Sequence, residues 1–225
     1  SNTDIWGKRY SAMIISAPDS ADLLQAASWS VTDSLPYDST YLDGKFGAWL
    51  EGNAVVTPDG NVADLLRVDY APGPEYAALI RLRDSVSFDP FDPEKDFVRM
   101  PGGAKKFTVR YDSLSGRYWS LVNYVTQEWA GKQNPAWIRN TLALSSSPNL
   151  QEWTVHRTVL HHPDIAKHGF QYADWLFDGN DIVLLSRTAY DDNGTGAHNC
   201  HDANYMTFHR IKDFRKALTE QAGNR

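Results

Sequence analysis

Asn140-Thr-Leu-Ala-Leu-Ser-Ser-Ser-Pro-Asn149 is a strand-length run of apolar and small residues closed by a polar turn. The same unit occurs as Tyr10-Ser-Ala-Met-Ile-Ile-Ser-Ala-Pro-Asp19, Glu75-Tyr-Ala-Ala-Leu-Ile-Arg-Leu-Arg-Asp84 and Asn204-Tyr-Met-Thr-Phe-His-Arg-Ile-Lys-Asp213. The four copies recur at a spacing of ~65 residues, the mark of one structural unit repeated along a chain. The first copy starts close to the N-terminus and the last ends close to the C-terminus, so the array is expected to be cut inside a unit at both ends.

Between the copies the chain supplies hairpins. Gly47 to Thr57 reads as a strand, Pro58-Asp59-Gly60-Asn61 as its turn, and Leu65, Val68 and Tyr70 as the return. Phe107 to Tyr111 turns through Asp112–Gly116 into Tyr118–Tyr124, and Phe170 to Phe177 turns at Asp178-Gly179-Asn180 into Ile182–Leu185. The repeated run follows each hairpin as a third strand. Trp29–Val31, Val86–Phe88 or Trp153–Val155 is then expected as a fourth. Four-stranded antiparallel meanders in series build a β-propeller. A solenoid of sheets is the competing architecture, but its coils have shorter periods. The expectation is an all-β propeller, five-bladed when complete, of which about three and a half blades are present. The chain reads as one partial propeller domain over 1–225, with blade portions at 1–35, 46–90, 103–160 and 168–215.

Composition narrows the partners. The 225 residues carry a net charge of −6, 12% aromatics and eight Trp, which argues against a nucleic-acid face. A single Cys200 excludes an intrachain disulfide framework. No apolar run reaches membrane-spanning length, and no signal peptide stands in this chain. The opening Ser1-Asn2-Thr3, without Met, reads as processed or truncated, and a missing N-terminal segment or a second chain is expected to complete the ring.

A meander sorts its loops onto two rims. One rim holds short turns: Pro58-Asp-Gly-Asn61, Asp178-Gly-Asn180, Pro18-Asp19 and Pro148-Asn149. The other holds long loops with Trp129, Trp137, Arg139, His161, His162, His168, Asp191, Asp192, His198, His201 and Asp202, where a binding site is expected. Alternation along Trp49-Leu-Glu51-Gly-Asn53 puts Trp49, Glu51 and Asn53 on one side. Alternation along Tyr172-Ala-Asp174 puts Asp174 beside Tyr172, with Lys106 and Thr108 in the matching strand between. Each carboxylate has an alternative role as partner of a nearby Lys or Arg. Arg67, Arg139 and Arg187 recur at one level and could converge on an anionic group, or pair within their own blades, Arg67 with Asp69 for example. His198-Asn-Cys-His201-Asp202 contains metal-ligand types, yet its spacing matches no recognised site, so no metal and no cofactor are assigned.

The stretches Gly47–Gly60, Arg139–Asn149 with Trp153, His168–Trp175, Ser186–Asp192 and His201–His209 resemble bacterial sialidase-like or propeller-type glycosyl hydrolases over nearly the whole chain. Ser147-Pro-Asn-Leu-Gln-Glu-Trp153 is similar to a blade signature of five-bladed exo-glycosidases. Sialidase chemistry implies an arginine triad, a Tyr/Glu nucleophile pair and an Asp acid/base. The surroundings of Arg67, Arg139 and Arg187 do not match its motifs, and no Ser-x-Asp-x-Gly-x-x-Trp box occurs. The five-bladed arrangement implies inner-strand carboxylates around a channel mouth, which Glu51 and Asp174 fit better. The resulting expectation is an exo-acting glycoside hydrolase, periplasmic or extracellular, with a carbohydrate substrate and neither nucleic acid nor membrane insertion. Glu51 is its acid and Asp174 the partner. Asn53, Arg67, Lys106, Arg139, His168, Gln171, Arg187 and His201 hold the sugar, and Trp129 or Trp137 stacks on it. A non-catalytic carbohydrate-binding or assembly propeller is the alternative.

Overall fold

The computed structural model describes residues 6–70 and 73–220. Its strands are β1 (Ile15–Ser16), β2 (Ser30–Val31), β3 (Phe46–Val56), β4 (Val62–Tyr70), β5 (Tyr76–Arg81), β6 (Phe97–Arg99), β7 (Val109–Asp112), β8 (Arg117–Asn123), β9 (Thr141–Ser147), β10 (Thr154–His161), β11 (Gly169–Asp178), β12 (Asp181–Ala189) and β13 (Tyr205–Ile211). They form antiparallel sheets in the orders β1-β2, β3-β4-β5-β6, β7-β8-β9-β10 and β11-β12-β13. Each strand pairs with its neighbour in sequence, so every sheet is a meander. The protein is all-β, with the blades of a propeller.

The repeated run is the third strand wherever a full hairpin precedes it, as β5, β9 and β13. Tight turns make this reliable: Gly60, Gly116 and Gly179 all take positive φ at the hairpin tips, a conformation that glycine adopts without strain. In the first copy only Ile15–Ser16 is strand, paired with Ser30–Val31.

The fourth strand of the second blade differs from the expectation. Val86–Phe88 meets the sheet through a single Leu82–Phe88 bridge, because Asp84 captures the Val86 N–H and the Ser87 hydroxyl and curls the chain into a turn. The chain then runs on to a helical turn, Pro93–Asp96, capped by Asp92, and lays β6 along β5. Phe97 and Val98 are buried there, whereas Val86 stays exposed. The blade thus extends past residue 90.

The sheets stack face to face, and burial of their apolar faces drives the stacking. Leu65, Leu79, Val98 and Val55 of the second blade pack on Phe107, Val109, Tyr118 and Val122 of the third. Trp119, Leu121, Leu142 and Leu144 of the third pack on Phe170, Trp175, Ile182 and Leu184 of the fourth, with Phe214 closing the layer. Direct bonds tie the inner strands together. Asn53 spans β3 to β7, donating to the Val109 carbonyl at 3.1 Å and accepting from the Val109 N–H at 2.9 Å. The Trp175 indole donates to the Thr108 carbonyl at 3.1 Å, and Arg110 donates to the Trp175 carbonyl at 2.6 Å. The far face of the fourth blade carries exposed Leu176, Leu185, Met206 and Phe208.

One buried charge stands out in this packing. Asp64 on β4 is 5% exposed, and its Oδ1 has no hydrogen-bond partner. Glycine is required opposite it, because a Cβ on Gly52 would lie 2.5 Å from the carboxylate. Burial pushes its pKa from 3.8 to about 6, against one backbone N–H at Asn53. A raised folded-state value favours the folded protein below the unfolded pKa, and that stability is lost as pH rises through about 6. Asp64→Asn is therefore expected to stabilise the protein by ~2–3 kcal/mol at pH 8 and by little at pH 3.5. Thermal unfolding of both proteins across that range checks it; a gain independent of pH would contradict the assignment.

Candidate functional site at the long-loop rim

Bulges in two inner strands re-aim the side chains that alternation places. In β3 the register shifts between Trp49 and Gly52, and in β11 between Gln171 and Asp174. Trp49 consequently packs into the cluster with Ala12, Leu66 and Val68, while Asn53 turns to the third blade. The expected shared side for Trp49, Glu51 and Asn53 does not form. Asn53, expected to hold sugar, has both side-chain amide atoms engaged with the Val109 backbone.

Glu51 sits in the first bulge. Arg67 donates to its two oxygens at 3.1 and 3.4 Å and, through Nε, to the Ala104 carbonyl at 2.8 Å. Glu51 is not enclosed by apolar strand: its side chain is 41% exposed. Arg67 thus pairs with Glu51 rather than with Asp69. Asp69 lies two residues on, at the same face of β4 as Arg67, with Gly47 clearing space for it: a Cβ at Gly47 would fall 2.1 Å from its Oδ2. Burial pushes the Asp69 carboxyl up, and Arg67 partly offsets this. The second expected carboxylate, Asp174, is 68% exposed and pairs with Arg110 at 3.3 Å. Both carboxylates named from the sequence therefore have arginine partners.

Farther round the rim, buried Lys105 donates to Glu75 and to the Pro135 carbonyl, and Glu75 also accepts from the Gly102 N–H. Lys106 beside it is half-buried. Arg139 is 4% exposed and donates to Gln171 Oε1 at 2.8 Å and to the Ala136 carbonyl at 3.0 Å. Burial pushes its pKa down. Gln171, fully buried, uses its amide nitrogen on the Cys200 and His201 carbonyls and so ties the loop after β12 to β11. In the second bulge Tyr172 has φ +51°, a left-handed conformation unusual for a bulky residue. Its ring lies 5.7 Å from the Arg139 guanidinium and 4.9 Å from that of Arg187, with His201 edge-on at 6.2 Å. Arg187 also donates to the His201 carbonyl. Trp137 is 54% exposed and lies 6.4 Å from the His201 ring, whereas Trp129 is covered by the Lys132 ammonium at 5.4 Å.

His168 is buried, bonded to Asp164 at 2.7 Å, and faces Asp191 at 3.4 Å. It stacks on His162 with ring centres 3.4 Å apart. His162, His168 and Asp191 bring ligand-type atoms within 4.8 Å of one another. The stack is too close for one ion, since imidazoles ligating a tetrahedral metal at ~2.0–2.1 Å hold their centres roughly 5 Å apart. The His198–Asp202 loop does not gather a ligand set either: Cys200 Sγ points to the Trp137 carbonyl, while His198 and His201 both turn to Asp202. Clefts open on the rim, among them one of about 400 Å3 beside Glu75 and Pro135 and one of about 450 Å3 beside Tyr190, Asp191 and His209.

Lys105 escapes the sequence reading, which names Asp69 only as a partner for Arg67 and Tyr172 only as a neighbour of Asp174. Gly47 gives the one local hint, a small residue that makes room across the ladder for Asp69.

No protein-family model matches the chain, and no curated protein matches it. Solved structures with a related chain path include an alpha-L-arabinanase from Penicillium chrysogenum complexed with arabinobiose, at 11% identity and a TM-score of 0.48, covering 79% of this chain and 49% of that one. An alpha-L-arabinofuranosidase from Fusarium graminearum in complex with an iminosugar inhibitor has 9% identity and a TM-score of 0.47, covering 92% of this chain and 51% of that one. A protein described as a glycoside hydrolase has 12% identity and a TM-score of 0.49, covering 86% and 60%. The chain spans about half to three-fifths of the length of these proteins.

Proposed function

We propose that the chain contributes the sugar-binding rim and part of the catalytic apparatus of a propeller glycoside hydrolase acting on a terminal sugar. The observation that carries this reading is the placement of Glu51 and Asp69 around Arg67 at the long-loop rim. Glycoside hydrolysis uses two carboxyl groups in different states, one donating a proton and one acting as base or nucleophile. Unequal surroundings separate such roles. Glu51, oriented by two guanidinium bonds, suits the base or nucleophile, which revises the acid role assigned to it from the sequence. Asp69, with its carboxyl pushed up by burial, suits the proton donor. Asp174, open to solvent and paired with Arg110, fits neither role as directly. Trp137 offers an exposed ring for a sugar face.

A binding-only propeller is the second reading, favoured by the arginine partners of Glu51 and Asp174. Purified protein assayed against a panel of aryl glycosides and glycans separates the two. Release of product supports the hydrolase; saturable binding of a glycan with no product over prolonged incubation favours the binding module. Absence of both overturns the glycan reading.

A further inference from the structure

Two cations of the long-loop rim stand without a carboxylate partner among the described residues. Four cations gather there: Lys105 is close enough to Arg67 and Arg139 for both to oppose its charge, and Arg139 and Arg187 flank one tyrosine ring. The ion-paired carboxylates nearby serve the other two cations or the histidines. Glu51 serves Arg67, Glu75 serves Lys105, Asp164 serves His168, and Asp202 serves His198 and His201. Asp69 lies beside Arg67, which offsets part of the upward push that burial gives its carboxyl. Among the described residues no ion pair reaches Arg139 or Arg187.

A buried guanidinium without an anion is costly, since burying charge is tolerated when the charge is paired. Arg139 is in that state at 4% exposure. The backbone is strained at the same spot: Tyr172 holds φ +51° in the β11 bulge and places its ring between the two arginines. Strain of this kind is kept where the surroundings enforce it, commonly at ligand sites. Arg187 uses Nη2 on the His201 carbonyl, and its other N–H groups have no protein acceptor among the described residues.

From this geometry we infer that the rim selects a terminal sugar carrying an anionic group, a carboxylate or a sulfate, which Arg187 engages from the Tyr172 ring with Arg139 behind it. The inference rests on the glycan reading above and specifies its substrate class. A guanidinium fork matches either oxyanion bidentately.

Calorimetric titration tests it with three oligosaccharides that differ at the terminal residue: a uronate, a sulfated sugar and the neutral parent. At least one charged member is expected to bind about tenfold or more tighter than the parent, with the gap shrinking as salt is added. Preference between the two charged members identifies the group. Arg187→Gln is expected to abolish the gap, with a larger loss of affinity on the charged member than on the parent. Tyr172→Asn removes the ring but tolerates a left-handed backbone, so it is expected to narrow the gap in a protein that still unfolds cooperatively. Equal or tighter binding of the neutral parent overturns the inference and leaves the glycan reading standing. If none of the three binds, both fall.

Discussion

Glu51→Gln is expected to lower turnover of an accepted glycoside by ~10³-fold or more while leaving glycan affinity within a few-fold of the parent protein. The amide keeps the size of the side chain and one acceptor oxygen for Arg67, so the β3 bulge and the Arg67–Ala104 bond can persist. What it removes is the negative charge and the lone pair that a base or nucleophile needs. Asp69→Asn gives the complementary test. Loss of a proton donor is felt most by substrates with poor leaving groups, so the variant is expected to lose activity on natural glycans and to retain much more on activated aryl glycosides. Steady-state rates on both substrate types, with a parallel binding titration, decide the roles. Unchanged turnover in Glu51→Gln removes Glu51 from the mechanism; equal losses on both substrate types remove Asp69 as the acid.

Glu75→Ala is expected to destabilise the protein by ~3–5 kcal/mol, the cost of leaving a buried charge without its partner. Lys105 is fully buried, and Glu75 is its carboxylate. Burial pushes the Lys105 pKa down while Glu75 holds it up, so removing Glu75 leaves desolvation unopposed, with Arg139 and Arg67 adding repulsion. The lysine would deprotonate or the loop after β6 would open, and either costs stability. Combining Glu75→Gln with Lys105→Met removes both charges at similar volume and is expected to recover most of the loss. Denaturant unfolding of the single and double variants checks this. A single variant as stable as the parent would show that solvent reaches Lys105 and that the pair does not anchor this rim.

The two halves of the fold were legible to different degrees. The hairpins and third strands could be read because their signals are local: glycine turns and apolar runs at a fixed spacing act over a few residues. β6 could not, because Val86–Phe88 and Phe97–Arg99 have comparable strand propensity. The choice between them fell to the Asp84–Ser87 turn and to the burial of Phe97 and Val98. In the candidate site, Arg139, Trp137 and His201 were named from loop position, Arg67 and Arg187 from the ends of second strands, and Gln171 with the glycosidase resemblance. Their partners were not foreseen. A one-residue bulge reverses every alternation that follows it, which is how Asn53 came to bind a neighbouring blade instead of facing a sugar.

By itself the sequence determined the repeated meander, the division into a short-turn and a long-loop rim, and the residue types gathered on the second. These follow from short-range chemistry, in which each turn and each apolar run is specified by its own residues. Only the tertiary structure decided that Arg67 holds Glu51 and not Asp69, that Asp64 is buried without a full set of partners and Asp69 half-buried, and that two arginines without carboxylate partners meet at Tyr172. Charge pairing and burial depend on distances between strands far apart in sequence, and those distances exist only once the blades have packed.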